Sequence, residues 1–252
     1  MTSQPQKNTT FEWQPNSKIL LFSALFLPLL LILGYWQLLR ADEKQSIVNQ
    51  YQTNRQQASL TDPQMLDNGQ DYQYRQAAIQ GEADNERVII LDNRVKYGRP
   101  GYEVLQAVTI SGSGKKLLIN RGWVPADLDR SILPVVPSLI GDIQLSGYLY
   151  RTLKGGYRLD DGVRNLVQGP SRVGWITVER AEQLFGESFY PYQLRLDGDS
   201  VGALETGWPT VSIYPEKHTA YAVQWFAMAV TLFILTLIAN SNLISFIRRN
   251  AP

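Results

Sequence analysis

The chain has no cysteine among its 252 residues and only one histidine, His218. Disulfides, thiol catalysis and thiolate metal sites are therefore excluded, as are zinc sites that need two histidines. Lysine and arginine number 24 against 23 aspartates and glutamates, so the net charge of +1 leaves no surplus for binding nucleic-acid phosphates. The apolar content of 44% is too high for a disordered chain. We therefore expect a folded protein with no nucleic-acid partner.

Two long segments of the chain carry no charged side chain. The first lies between Lys18 and Arg40, and the second begins at Thr219 and ends before Arg248. About 20 apolar residues are enough to cross the hydrocarbon layer of a bilayer, and soluble helices seldom run so far without a charge. The pattern predicts transmembrane helices at 19–39 and 218–247, and the alternative is a pair of buried helices in a soluble core.

Charge and composition near the two segments predict how they cross the bilayer. The first segment has no small-x-small cleavage site, and residues 1–18 lack arginine. We therefore expect a signal anchor in a bacterial inner (plasma) membrane, not a secretory or mitochondrial leader. The short tails 1–18 and 248–252 contain basic residues, which favours placing both termini in the cytoplasm. Residues 40–217 then form a periplasmic domain.

The segment 40–217 contains short strand-like runs separated by turn residues. The clearest hairpin joins two of them through a Ser-Gly-Ser-Gly-Lys turn. The eight runs are 72–79, 87–91, 102–110, 116–120, 143–150, 174–178, 192–196 and 211–213. A short helix is predicted at 179–185, and helical spacing of apolar residues extends the first span beyond Arg40. The predicted fold is a membrane protein with two transmembrane helices flanking one mostly β domain, an antiparallel barrel or sandwich with a few short helices.

Patterns that indicate catalysis are weak in this sequence. The only histidine stands at the start of the second span, so the β domain has no base for a Ser-His-Asp triad. The acidic pair Asp160-Asp161 lies in turn-like sequence, where aspartate is favoured for conformational reasons. We therefore expect that the protein is not an enzyme, and a membrane-tethered periplasmic enzyme is kept as a lesser alternative.

Residues 120–125, with the sequence Asn-Arg-Gly-Trp-Val-Pro, directly follow a predicted strand. In the structural interpretation, Gly-Trp marks a β-bulge with an aromatic side chain packed on the core. In the functional interpretation, Arg121 and Trp123 face a partner, because arginine and tryptophan anchor many interfaces. The sequence leaves both interpretations open.

The start of the second span carries a second candidate site. His218, Tyr221, Trp225 and Met228 recur at steps of three and four, so a helix places them along one face. A neutral imidazole there is a suitable ligand for haem iron, and aromatic rings pack against an apolar macrocycle. The alternative is a histidine that contacts the helix start or lipid headgroups.

Four motifs, in this order along the chain, resemble the surfeit locus protein 1 family, the membrane assembly factors of cytochrome c oxidase. They are Gly34-x-Trp36-Gln37-Leu38-x-Arg40, Pro100-Gly101-Tyr102-x-Val104, the segment 120–125, and His218-x-x-Tyr221-Ala222-x-Gln224-Trp225-Phe226. The resemblance covers nearly the whole chain. It departs at Glu43, where the family often has an aromatic residue before the lysine that follows Arg40.

The resemblance implies a factor that receives haem A from haem A synthase and helps to place it in subunit I of the oxidase. It implies His218 as the iron ligand of transiently bound haem A, with Tyr221 and Trp225 beside it. We add Arg40 as a candidate partner for the haem propionates. Arg121, Trp123 and Tyr102 are the candidate partner-binding residues. The alternative function is a cofactor-free chaperone or scaffold that stabilises an oxidase assembly intermediate.

Overall fold

The computed structural model describes residues 10–61, 70–152 and 170–250. The Asp160-Asp161 turn and residues 1–9 and 251–252 of the predicted tails lie outside the described residues. The chain divides into two compact units. The helical unit contains the chain before Asn49 and after Thr210, and the sheet unit is Asn49–Thr210.

The helical unit is built from long apolar helices. Helix α1 is Ser17–Arg55, and a second long helix, named α3 here, is Pro215–Ala239. Both are long and apolar enough to cross a membrane, and the 25 residues of α3 span about 37 Å. Leu21 is 75% exposed and Ile32 is 64% exposed, which is unfavourable in water and typical of a lipid-facing surface. This exposure contradicts the alternative of helices buried in a soluble core.

The second predicted span, 218–247, is interrupted in the structure. Helix α3 ends at Ala239, and a separate helix, α4, is Leu243–Asn250. At the interruption, the Asn240 Oδ1 accepts a hydrogen bond at 2.6 Å from the amide of Asn16, which lies 224 positions earlier in the chain. The Asn242 Oδ1 accepts another from the Glu12 amide at 2.8 Å. Both asparagine side chains therefore bind the backbone that precedes α1.

Within its described residues, the sheet unit contains six strands and one short helix. The strands are β1 Gln76–Lys96, β2 Arg99–Ile110, β3 Lys116–Pro125, β4 Asp142–Tyr150, β5 Ser171–Val173 and β6 Phe189–Leu196, and the helix α2 is Val178–Phe185. They form one mixed sheet in the order β2-β3-β6-β4-β1-β5. Strand β2 also pairs with β1, so β1, β2, β3, β6 and β4 form a closed cycle of paired strands.

The predicted antiparallel arrangement is correct for only part of this sheet. The pairs β3–β6 and β1–β5 are parallel, whereas the other named pairs are antiparallel. Strand direction depends on how the connections return the chain to the sheet, and strand composition does not carry that information. The hairpin between β2 and β3 is confirmed, with positive φ at Gly112 (82°) and Gly114 (67°) in its turn.

Four of the eight predicted runs do not form separate strands in the structure. Residues 76–79 of the first run and the whole run 87–91 belong to a single strand, β1, whose register shifts between Asp84 and Val88. Residues 72–75 are not in a strand. The run 174–178 is not a strand, because the Thr177 side chain caps α2 by accepting a hydrogen bond from the Arg180 amide. The run 211–213 is not a strand either.

The two largest of the three apolar clusters among the described residues hold most of the sheet unit together. The larger one has alternate residues from β1 to β4 and β6, including Ile79, Val108, Leu117, Leu145 and Leu194, each at most 2% exposed. The second cluster includes Ala181 of α2, which packs with Leu105 and Leu118. Strands β2 and β3 are buried along most of their length, because successive side chains point to opposite faces of the sheet and both faces are covered.

Candidate functional site

Helices α1 and α3 pack together through small and polar side chains. The buried residues of α3 are Pro215, Ala222, Ala229 and Thr236, which recur every seventh position, or about two helical turns. The hydroxyl oxygens of Ser23 and Thr236 lie 2.6 Å apart. A Cβ added at Gly34 would lie 2.8 Å from the ring of Phe226, so this glycine is what allows the ring to approach α1.

His218 lies near the start of α3 on the side that contacts α1. Its Nδ1 is 2.8 Å from the side-chain oxygen of Gln37, and the two residues are 181 positions apart. Its Nε2 is buried and has no hydrogen-bond partner among the described residues. A buried polar atom normally has a partner, so the unpartnered Nε2 of His218 calls for an explanation.

The predicted stripe of four side chains is divided in the structure. His218 and Trp225 are half-buried, whereas Tyr221 is 50% exposed and Met228 is 44% exposed. A helix turns by about 100° per residue, so steps of three and seven do not point in the same direction. Trp225 therefore shares the packed side with His218, and Tyr221 lies toward the open side.

Arg40 lies one turn beyond Gln37 on α1 and is already paired. Its Nη1 is 2.6 Å from the Oε2 of Glu43, and Lys44 is 3.8 Å from the other carboxylate oxygen. The guanidinium also lies 5.6 Å from the centre of the Trp36 ring. Glu43, the position that departs from the resemblance, therefore neutralises the cation that we predicted for propionates.

Arg121 is not on the surface of the sheet unit. Val104 pairs with Gly122 and Leu105 pairs with Asn120, so Arg121 is the extra residue of a β-bulge. Gly122 adopts a φ of 120°, and its amide donates to the Asn120 side-chain oxygen at 3.1 Å. The bulge turns the Arg121 side chain into the interior, where it is 1% exposed.

The buried guanidinium of Arg121 is held by neutral acceptors. Its Nε donates to the Gly202 carbonyl at 2.8 Å. Its Nη1 donates to the Gln106 side-chain oxygen and to the Pro137 carbonyl, each at 2.8 Å. Burial lowers the pKa of Arg121 below its ordinary value. The side chain joins β2, β3 and two loops, which is a structural role.

Trp123 and Tyr102 are also buried, at 7% and 0% exposure. The Trp123 indole N–H donates to the Arg94 carbonyl at 2.9 Å, and its amide donates to the Glu205 carbonyl at 2.8 Å. A Cβ at Gly101 would overlap the indole ring, so two of the motifs meet at this contact. The burial of Arg121, Trp123 and Tyr102 argues against the predicted partner-facing surface and supports the bulge interpretation.

Comparison with known proteins places the chain in a family. The SURF1 family model matches residues 24–230. The chain belongs to the SURF1 family. The SURF1 family is generally linked to the assembly of cytochrome oxidase. A protein named SURF1-like protein, from Rickettsia felis (strain ATCC VR-1525 / URRWXCal2), is 24% identical over 229 residues, covering 86% of this chain and 94% of the relative.

The SURF1 match includes all four motifs, and the structure gives them different roles. The motifs at 100–104 and 120–125 form the bulge and its indole contact within the sheet unit. The motifs at 34–40 and 218–226 form the helix contact that contains Gln37 and His218. Sequence reasoning singled out His218 but missed Gln37 as its neighbour, although Gln37 stood inside a quoted motif.

The SURF1 sheet unit also contains a cavity of about 710 Å³. Its wall includes Tyr150, Trp175 and Gln193, and the Arg180 guanidinium lies 3.9 Å from the centre of the Trp175 ring. Among the described residues that line it, none belongs to the predicted site.

Proposed function

We propose that this protein binds haem A through His218 and assists its delivery to, or insertion into, subunit I of cytochrome c oxidase. The observation that carries the proposal is the His218 Nε2, a buried nitrogen with no hydrogen-bond partner among the described residues. A neutral imidazole nitrogen of this kind is a common ligand of haem iron. Membership of the SURF1 family supports the link to oxidase assembly. The protein is an assembly factor, not an enzyme, and haem A is its cargo.

The proposed setting is a bacterial inner membrane. Helices α1 and α3 cross it, both termini are cytoplasmic, and residues 40–217 form the periplasmic domain. The basic residues of the tails support this orientation. An apolar helix pair suits haem A because lipid accommodates the apolar tail of the macrocycle. A reporter that is active only in the cytoplasm, fused after Pro252, is expected to be active, and silence would reverse the orientation.

The haem A content of the purified protein tests the ligand role. The full chain is expressed with haem A synthase, and its absorption spectrum is compared with that of His218→Ala. The wild type is expected to carry haem A and His218→Ala to lose it. Val223→Ala is the matched control, because Val223 is 63% exposed on the same helix. Equal haem A content in His218→Ala and the wild type would remove His218 from the site.

The ion pair between Arg40 and Glu43 gives a second test. The carboxylate of Glu43, 2.6 Å from the Arg40 guanidinium, competes with an incoming propionate for the same charge. Glu43→Gln is therefore expected to increase haem A retention, and Arg40→Gln is expected to decrease it. If both variants retain haem A as the wild type does, Arg40 has no part in binding propionates.

The second candidate function is a cofactor-free scaffold for an oxidase assembly intermediate. One observation favours it, since Leu128 and Val135 in the connection between β3 and β4 are at least 93% exposed. Exposed apolar side chains in a loop are suited to binding another protein. This function predicts that the haem-free protein captures subunit I, and that Leu128→Ser with Val135→Ser abolishes capture. Haem A in the purified wild type favours the first candidate.

A further inference from the structure

The contact between Gln37 and His218 fixes the tautomer of the imidazole ring as well as its position. The side-chain oxygen of Gln37 is an acceptor, and it lies 2.8 Å from the Nδ1 of His218. A hydrogen bond at this distance requires the proton to be on Nδ1. In the neutral ring the other nitrogen, Nε2, then carries an unshared electron pair.

The surroundings of the ring make the amide the partner of Nδ1. On α1 the carboxylates of Asp42 and Glu43 follow Gln37 in sequence. Arg40 holds the Glu43 carboxylate at 2.6 Å, and Lys44 lies 3.8 Å from it. Nε2 is buried with no partner among the described residues. An electron pair that is buried without a donor is unfavourable unless a ligand uses it.

We propose that Gln37 is a positioning residue that holds His218 in the Nδ1–H tautomer and leaves Nε2 free to bind the iron of haem A. This inference rests on the proposed function and deepens it. Metal-binding histidines commonly donate their second ring N–H to a carbonyl or carboxylate, which fixes the tautomer and ring orientation. Here the acceptor is a neutral amide, which polarises the imidazole less than a carboxylate would.

The tautomer is measurable without haem, because the chain has a single histidine. The full chain is labelled with nitrogen-15 histidine, purified through a histidine-free tag, and studied in nanodiscs by NMR. The wild type is expected to show a protonated Nδ1 and an unprotonated Nε2. Gln37→Leu is expected to populate both tautomers, and Gln37→Glu to retain the wild-type pattern. A proton on Nε2 in the wild type, or an unchanged pattern in Gln37→Leu, overturns the proposal.

The haem-bound protein supplies the second readout. Loss of such a partner typically weakens metal binding by about 10- to 100-fold, which we expect for haem A in Gln37→Leu. Gln37→Glu is expected to bind haem A with a lower midpoint potential than the wild type, because a carboxylate makes the imidazole a stronger donor. The matched control is Gln52→Leu, an exposed glutamine 15 positions further along α1. Unchanged affinity and potential in both Gln37 variants would refute the positioning role.

The two proposals fail in different ways. If the wild type has the Nδ1–H tautomer but never binds haem A, the proposed function fails and the hydrogen bond is only structural. If haem A binds through His218 and Gln37→Leu changes neither tautomer nor affinity, the function stands and the positioning role fails. A folding defect in Gln37→Leu is recognised by its melting temperature, and Gln37→Glu then tests the proposal alone.

Discussion

The buried guanidinium of Arg121 gives a quantitative test of the sheet unit. The Arg121→Leu substitution keeps an apolar side chain in the interior and removes every N–H donor. Three acceptors then lose their donor, namely the Gly202 and Pro137 carbonyls and the side-chain oxygen of Gln106. Because Arg121 is 1% exposed, water cannot easily replace the lost hydrogen bonds.

The expected loss of stability follows from two opposing contributions. Each buried acceptor left without a donor costs about 1–3 kcal/mol, so three cost roughly 3–9 kcal/mol. Removing a buried cation offsets part of this, since its desolvation costs several kcal/mol. We expect a net loss of about 3 kcal/mol. For a unit of this size, that corresponds to a fall in melting temperature of about 6–12 °C.

Thermal unfolding of the full chain in detergent, followed by near-ultraviolet circular dichroism, measures this loss. Arg99→Leu is the matched control, because Arg99 is exposed at the start of β2. Its effect is expected to stay within about 0.5 kcal/mol. If Arg121→Leu has the same melting temperature as the wild type but no longer captures subunit I, the reasoning is refuted and the partner-facing interpretation of Arg121 is restored.

Three further predictions address other parts of the structure. Gly122→Ala, at a φ of 120° with a Cβ 2.8 Å from the Glu205 carbonyl, is expected to lower the free energy of unfolding by about 1–3 kcal/mol in a denaturant titration. A smaller loss than in Gly112→Ala, where a Cβ meets open space, would contradict this. Ser23→Cys with Thr236→Cys is expected to form a disulfide in this cysteine-free chain, because the native hydroxyls lie 2.6 Å apart. If a comparison of reducing and non-reducing gels shows no intramolecular cross-link, the helix packing is contradicted. Burial raises the pKa of Tyr148 to about 12, whereas an unfolded tyrosine ionises near 10. The resulting stabilisation is full below about pH 10 and is lost as the pH rises to about 12. Melting curves recorded between about pH 10 and pH 12 are expected to show that Tyr148→Phe lacks this pH-dependent loss of stability.

Features that depend on neighbouring residues could be predicted from the sequence alone. An apolar run of about 20 residues specifies a long helix wherever it lies, because its backbone groups bond within the helix. The turn after β2 follows equally from Gly112 and Gly114, whose positive φ is a local requirement. The family motifs and the importance of His218 were also visible without the structure.

Features that depend on distant residues needed the tertiary structure. The inward direction of Arg121 is set by acceptors at Gly202, Gln106 and Pro137, up to 81 positions away. The end of α3 is set by bonds between Asn240 and the chain before α1, 224 positions apart. The partner of His218, Gln37, comes from the other long helix. The sequence identified the histidine, but only packing of the two helices decided which of its nitrogens is bonded and which is left for a ligand.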